Sequence, residues 1–239
     1  MGVVGGTMIR KLLATLGFGV ATTSSSVGIP PYSPYSKEAI NEVYNLLFCD
    51  NISSFAPKAG QKPAPWQETL FSDPPNIPAL ESLATEPSQE GRTRSLAYWR
   101  LRSVGKQVPP KILLGVIIEI PLAAGLDTLA AYSEGGVRYI NQTGKMAVLE
   151  GITGLQPLVQ NLFRTSQTIV DRIGPWERER LPPPKAGNIR LTFLVSDGLY
   201  FGEGPAPQMQ RDPAAAHVIQ NASALLNQIV ALAAKSKSP

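Results

Sequence analysis

The chain has 239 residues, 43% of them apolar, and 22 basic residues against 18 acidic leave a formal net charge of only +4. That apolar share supports a substantial core and excludes disorder throughout, while so small a positive surplus gives no reason to expect nucleic acid as a partner. A single cysteine, Cys49, and a single histidine, His217, exclude an internal disulfide and any Cys/His zinc, iron–sulfur or haem-thiolate site; no metal and no cofactor are expected, and a lone thiol favours the cytoplasm.

In chain order, Met8-Ile9-Arg10-Lys11 followed by LLATLGFGVA is patterned like the charged and apolar parts of a signal peptide. Export through residues 8–23 is therefore the alternative location, and Met8 an alternative start. The apolar run falls short of the roughly 20 residues a membrane-spanning helix needs. The Ser/Pro-rich TTSSSVGIPPYSPYS that follows has no apolar period and reads as a linker. Residues 1–35 are thus expected to be a flexible leader, and residues 36–235 one domain. Within it, 36–110 is a helical, proline-rich part and 111–235 a core of sheet and helix.

Ser36 is placed to cap a helix whose Ile40, Val43, Tyr44, Leu47 and Phe48 fall at i, i+3, i+4, i+7 and i+8. Cys49 lies beside that face and reads as a small apolar filler, with no histidine nearby to activate it. Prolines at 57, 63, 65, 74, 75, 78 and 87 allow only short helices, around Trp66–Phe71 and Ile77–Ala84. Gln89–Gly105 is a longer helix with a basic arc, in which Arg92, Arg100 and Arg102 flank Trp99. Arginines around an indole could grip phosphates and stack a base. The favoured reading has Trp99 packed under the proline-rich 56–87 region with the arginine stems lying along it.

ILLGVIIEI at 112–120 is a nearly continuous apolar strand with one charge, as expected where both faces are covered. Strands at 126–132, 137–141 and 145–150, joined by short glycine-containing turns, extend it into an antiparallel meander. Thr153 and Gln156 are spaced as a capping box for a helix carrying Leu155, Val159, Leu162, Ile169, Val170 and Ile173 and ending at Gly174-Pro175. WERERLPPPKAG at 176–187 reads as an exposed polyproline connection. A strand at 188–195, its continuation or hairpin partner at 199–203 and a last helix opened by Asp212-Pro213 complete the order. The fold class is α+β: a mainly antiparallel sheet of about five or six strands, meander first, flanked by the helices at 155–173 and 213–235.

The segment SDGLYFGEGP, residues 196–205, is the sharpest candidate site. Asp197 and Glu203 could face one another as acid and base, with Tyr200 and Arg190 beside them. The competing reading is a turn in which Asp197 bonds nearby amides, Gly198 takes positive φ, Leu199 and Phe201 point inward, and Tyr200 and Glu203 sit on the rim. The turn is preferred, and no catalytic residue is assigned. Gly144-Lys145 lacks the glycine and the hydroxyl of a phosphate-binding loop. No G-x-S-x-G elbow occurs, and Gly202-x-Gly204 followed by Pro205 is only a fragment of a dinucleotide fingerprint.

The strings LLGVIIEI, GLDTLAAY, RYIN and FLVSDGLYFGEGP resemble those of bacterial proteins with no assigned function, over roughly residues 36–230. The likeness is to strands and turns; it implies a bacterial origin and carries over no functional residue. By analogy of element order alone, the fold is similar to profilin-like and GAF-like folds. The expected function is a non-catalytic protein-interaction or regulatory module with a protein partner. The alternative is a small-molecule binder or enzyme using Asp197, Tyr200, Glu203 and Arg190.

Overall fold

A computed structural model describes residues 32–235. The leader and the signal-peptide alternative therefore lie outside the described residues, except at 32–35. There the chain is already packed: Tyr35 is buried, its hydroxyl 2.8 Å from Oγ1 of Thr128, and the Tyr32 hydroxyl donates to the carbonyl of Arg180 at 2.7 Å. Packing thus begins before the expected boundary at residue 36, because these two tyrosines have apolar faces to bury and buried acceptors to reach.

Six strands form one antiparallel sheet: β1 (Leu113–Leu122), β2 (Gly125–Tyr132), β3 (Val137–Ile140), β4 (Met146–Leu149), β5 (Asn188–Val195) and β6 (Gly198–Pro205). Their order is β4-β3-β2-β1-β5-β6, so the expected meander fills one half and the late hairpin adds to the free side of β1. The α+β class is as expected from the sequence.

Helices cover both faces. On one lie α1 (Glu38–Leu46), α2 (Pro65–Leu70), α3 (Ile77–Thr85) and α4 (Gly91–Ser103). They pack Tyr44, Phe48, Leu80, Leu96 and Tyr98 against Leu114, Ile117, Ala130 and Leu194 of the sheet. On the other lie α5 (Gln156–Val170), the short α6 (Ala206–Met209) and α7 (Pro213–Lys235). Val159, Leu162, Val218 and Leu225 there meet Val116, Ile118, Leu191 and Phe193. The two flanking helices expected from the sequence therefore share one face, and the proline-rich N-terminal part seals the other. That is why β1 can be apolar on both sides.

Local capping departs from expectation at two helices. The cap of α1 is Lys37 with no side-chain bond, and α5 starts after a 3₁₀ turn at Thr153–Leu155 without a capping box. Gln156 instead donates to the carbonyl of Glu134 at 3.3 Å. Asp212 does cap α7, its Oδ1 accepting from the amides of Ala214 and Ala215 at 3.0 and 2.9 Å. On α7 an apolar stripe is buried at Val218, Ala222, Leu225 and Ile229, while Val230 is 55% exposed.

Candidate functional site

The hairpin that carries SDGLYFGEGP closes tightly. Its last ladder pair is Val195 with Gly198, leaving Ser196-Asp197 as the turn. The Asp197 carboxylate is engaged there: Oδ1 accepts from the amide of Lys111 at 3.2 Å and Oδ2 from the Tyr200 hydroxyl at 2.9 Å. Ser196 donates to the carbonyl of Pro109 at 2.5 Å and accepts from the amide of Ile112 at 3.1 Å. The turn is thereby fastened to the start of β1.

Glu203 belongs to a different place. It pairs across the ladder with Arg190, six residues along an extended strand from Asp197, a separation of roughly 20 Å. The two carboxylates do not converge, so the acid–base pairing considered from the sequence does not form. The facing within the hairpin is also the reverse of that expected. Tyr200 lies opposite Phe193 and is 1% exposed, facing α5 and α7, while Leu199 and Phe201 are half-buried on the other face. Parity explains this: a two-residue turn ending at Gly198 places every even residue of β6 on the side of Phe193.

Gly198 has φ +153° and a Cβ there would stand 3.0 Å from Cβ of Pro175. Gly198→Val is expected to destabilise by about 1–3 kcal/mol through that strain. Equal urea midpoints for parent and variant would remove the turn's conformational demand from the account.

Arg190 ties together three strands and a loop. Its Nε and Nη2 donate to Oε2 of Glu203 at 2.9 and 2.6 Å, and Nη1 donates to the carbonyl of Leu181 at 3.2 Å. Nη1 also lies 3.7 Å from Oε2 of Glu119, the single charge of the apolar run in β1. Glu119 is fully buried and accepts from the Tyr44 hydroxyl at 2.6 Å. Burial raises the Glu119 carboxyl above its ordinary value, opposed by Arg190 and by the Tyr44 bond. Asn188 satisfies the other Glu203 oxygen at 2.7 Å.

Beside this lies a second buried pair that sequence reasoning missed. Arg180 binds Asp50 at 2.5 Å, donates to Asn45 at 2.9 Å, and sits 4.0 Å from the ring centroid of Phe48. The 176–187 segment is consequently a strap fixed to the N-terminal helices at Arg180, and it is exposed, as expected, along most of the rest of its length. The alternating charges of WERER gave no sign of which arginine would be buried.

The basic arc of α4 is dispersed. Arg92 pairs with Glu90 at 2.6 Å and lies over the Tyr132 ring; Arg102 donates to the carbonyl of Ser196; Arg100 is half-buried. Trp99 lines a recess of about 350 Å³ with Pro175, Trp176 and Arg102, under the strap and not under the 56–87 region. Cys49 is buried and its thiol is pushed up by burial, as a filler's would be. Among the described residues no group of three or more His, Cys, Asp and Glu side chains could hold a metal ion.

A mostly apolar concavity lies beneath β6. It has a volume of about 500 Å³ and is walled by Ile169 and Ile173 at the end of α5, Leu191 and Phe193 of β5, and Met209 and Ala215. Its roof is β6 itself at Gly202 and Gly204, and the strap from Leu181 to Lys185 forms one rim. The space exists because these glycines, two apart on a strand, put no side chain on the face shared with Leu191. A Cβ built on Gly202 meets nothing within 4 Å.

Glycines spaced two apart on a strand were the available signal for this space; read as part of a nucleotide fingerprint, they pointed elsewhere. No family model matches the chain, and a search of curated proteins returned no match. No helix among the described residues is long and apolar enough to cross a membrane.

Proposed function

We propose that the protein is a non-catalytic regulatory module that works by holding a small apolar molecule in the cavity beneath β6. The observation that carries this is Gly202: it lines a cavity of about 500 Å³, and a Cβ built there meets nothing within 4 Å, so the space beneath the strand is open. A preformed, mostly apolar space of that size suits a drug-sized ligand. Support for a non-catalytic role comes from the carboxylates, since Asp197 is spent on a turn and Glu203 on Arg190 and Asn188. A protein partner, the other half of the expectation, has an apolar footing on edge strand β4, where Met146 and Val148 are 42% and 49% exposed. The proposal places the module in the bacterial cytoplasm, on the lone thiol and the strand likeness, with export as the alternative if residues 8–23 act as a signal peptide.

Gly202→Leu tests the seat. The backbone at Gly202 is outside the left-handed region, so leucine is accommodated on the strand and its side chain enters the cavity. The parent is expected to take up one equivalent of the neutral fluorophore N-phenyl-naphthylamine, and the variant to bind it at least about tenfold more weakly with the same circular dichroism. Equal uptake by both proteins would overturn the reading.

A further inference from the structure

The charges around the mouth of the cavity beneath β6 say what kind of molecule it takes, given that the cavity is the ligand seat. Four ionisable groups line it: Lys185, Arg190, Glu203 and Asp212. Three are already committed. Arg190 is held by Glu203 at 2.6 Å with Glu119 at 3.7 Å behind it, so neither member of that pair has charge to offer. Asp212 caps α7, where the free amides of Ala214 and Ala215 satisfy it and the helix dipole favours its negative form. Lys185 remains: among the described residues its ammonium has no hydrogen-bond or ion-pair partner, and the residue is exposed.

Its backbone is nevertheless fixed. The Lys185 carbonyl accepts from the amide of Asn188 at 3.0 Å, and the neighbouring Gly187 carbonyl accepts from the amide of Ala206 at 2.8 Å, joining the strap to the two ends of the β5–β6 hairpin. Pro184 immediately before it is buried. A long flexible cation is thus mounted on an anchored turn at the edge of an apolar hole, with no protein anion assigned to it.

We infer that the ligand is an amphiphile with a single carboxylate, its hydrocarbon body seated under Gly202 against Leu191, Phe193 and Met209 and its head at Lys185. The wall chemistry accounts for the body: it offers aliphatic, aromatic and thioether contact, and Met209 adapts to irregular shapes. The head stays at the wet rim because an ionised carboxylate cannot enter an apolar cavity without a partner. Its pairing with Lys185 is partly screened, so the charge selects among ligands more than it adds affinity.

The experiment compares ligands of one chain length and different heads by calorimetry below their aggregation thresholds: decanoate, decanol and decyltrimethylammonium. Decanoate is expected to bind about three- to fivefold more tightly than decanol, as a rim ion pair allows, and the preference should shrink as salt rises. Lys185→Ala should remove the preference while leaving decanol binding and stability unchanged, because the turn uses only its backbone. Lys185→Glu should shift the preference to decyltrimethylammonium. If decanol and decanoate bind the parent equally and Gly202→Leu abolishes both, the cavity is a seat for neutral molecules and the inference is wrong while the proposed function stands. If none of the three binds, or if Gly202→Leu changes nothing, the seat itself is refuted and this inference with it.

Discussion

Arg190→Met is expected to destabilise the fold by about 3–5 kcal/mol, as removal of one member of a buried charge cluster does. The guanidinium is 5% exposed and answers two carboxylates, Glu203 at 2.6 Å and the fully buried Glu119 at 3.7 Å. Methionine fills much of the volume but leaves the buried Glu119 with the Tyr44 hydroxyl as its hydrogen bond and Arg180 as its remaining opposing charge. Adding Glu119→Gln to Arg190→Met should recover about 1–3 kcal/mol, a coupling of the size found for groups in one network. Gln still accepts the Tyr44 bond and has no charge to compensate. Urea unfolding of the two single variants and the double one measures this, and simple additivity would remove Glu119 from the cluster.

The same residue sets a pH dependence whose sign follows from its position. Burial raises the folded Glu119 carboxyl above its ordinary value, so the native state holds this proton more tightly than the unfolded chain does. Its contribution is complete below the ordinary carboxylate range and is lost as pH rises through the raised folded value. Glu119→Gln should flatten that part of the stability profile and leave the variant at least as stable as the parent at the upper end. Identical slopes for both proteins across that window would show Glu119 ionised throughout.

Where the sequence spoke clearly, it did so through period and punctuation. ILLGVIIEI is apolar on both faces, and in the structure it is the strand covered by helices on both sides. The meander after it follows from the glycine turns. The lone glutamate in that run marked a buried charge, yet nothing local named its partner: Arg190 meets it through the β1–β5 pairing of residues 119 and 190, a contact 71 positions away in sequence. The facing of Tyr200 and Phe201 turned on the length of one turn, which shifts every side chain of a strand at once. The cavity was hidden for a different reason: it is made by what Gly202 and Gly204 lack, and it becomes visible only when α5 and α7 are known to lie on that face. Buried Arg180 was hidden in a run of alternating charge, where composition favours a solvated loop.

Arg180→Leu is expected to cost about 3–5 kcal/mol and to release the strap. Arg180 is the point where residues 176–187 are fastened to the N-terminal layer: its guanidinium is 5% exposed, pairs with an Asp50 side chain that is 7% exposed, and lies against the rings of Tyr32, Tyr44 and Phe48. Leucine keeps part of the packing and strands the Asp50 carboxylate in a site with no other cation within ion-pair distance among the described residues. Asp50→Asn should be milder, since the amide oxygen still accepts from Arg180. Arg180→Leu with Asp50→Leu should recover most of the loss, because an apolar pair of similar volume has no stranded charge. Proteolysis adds a local readout: cleavage within 176–187 should become faster in Arg180→Leu than its global stability alone explains, as happens when a segment opens on its own. Leu181, Pro182 and Pro183 follow directly and line the cavity beneath β6, so the loosened strap should also weaken uptake of the neutral fluorophore. If the strap remains protected and uptake is unchanged while the fold loses stability, Arg180 supports the N-terminal layer alone and the cavity rim is held by Pro184 and the Arg190–Leu181 bond.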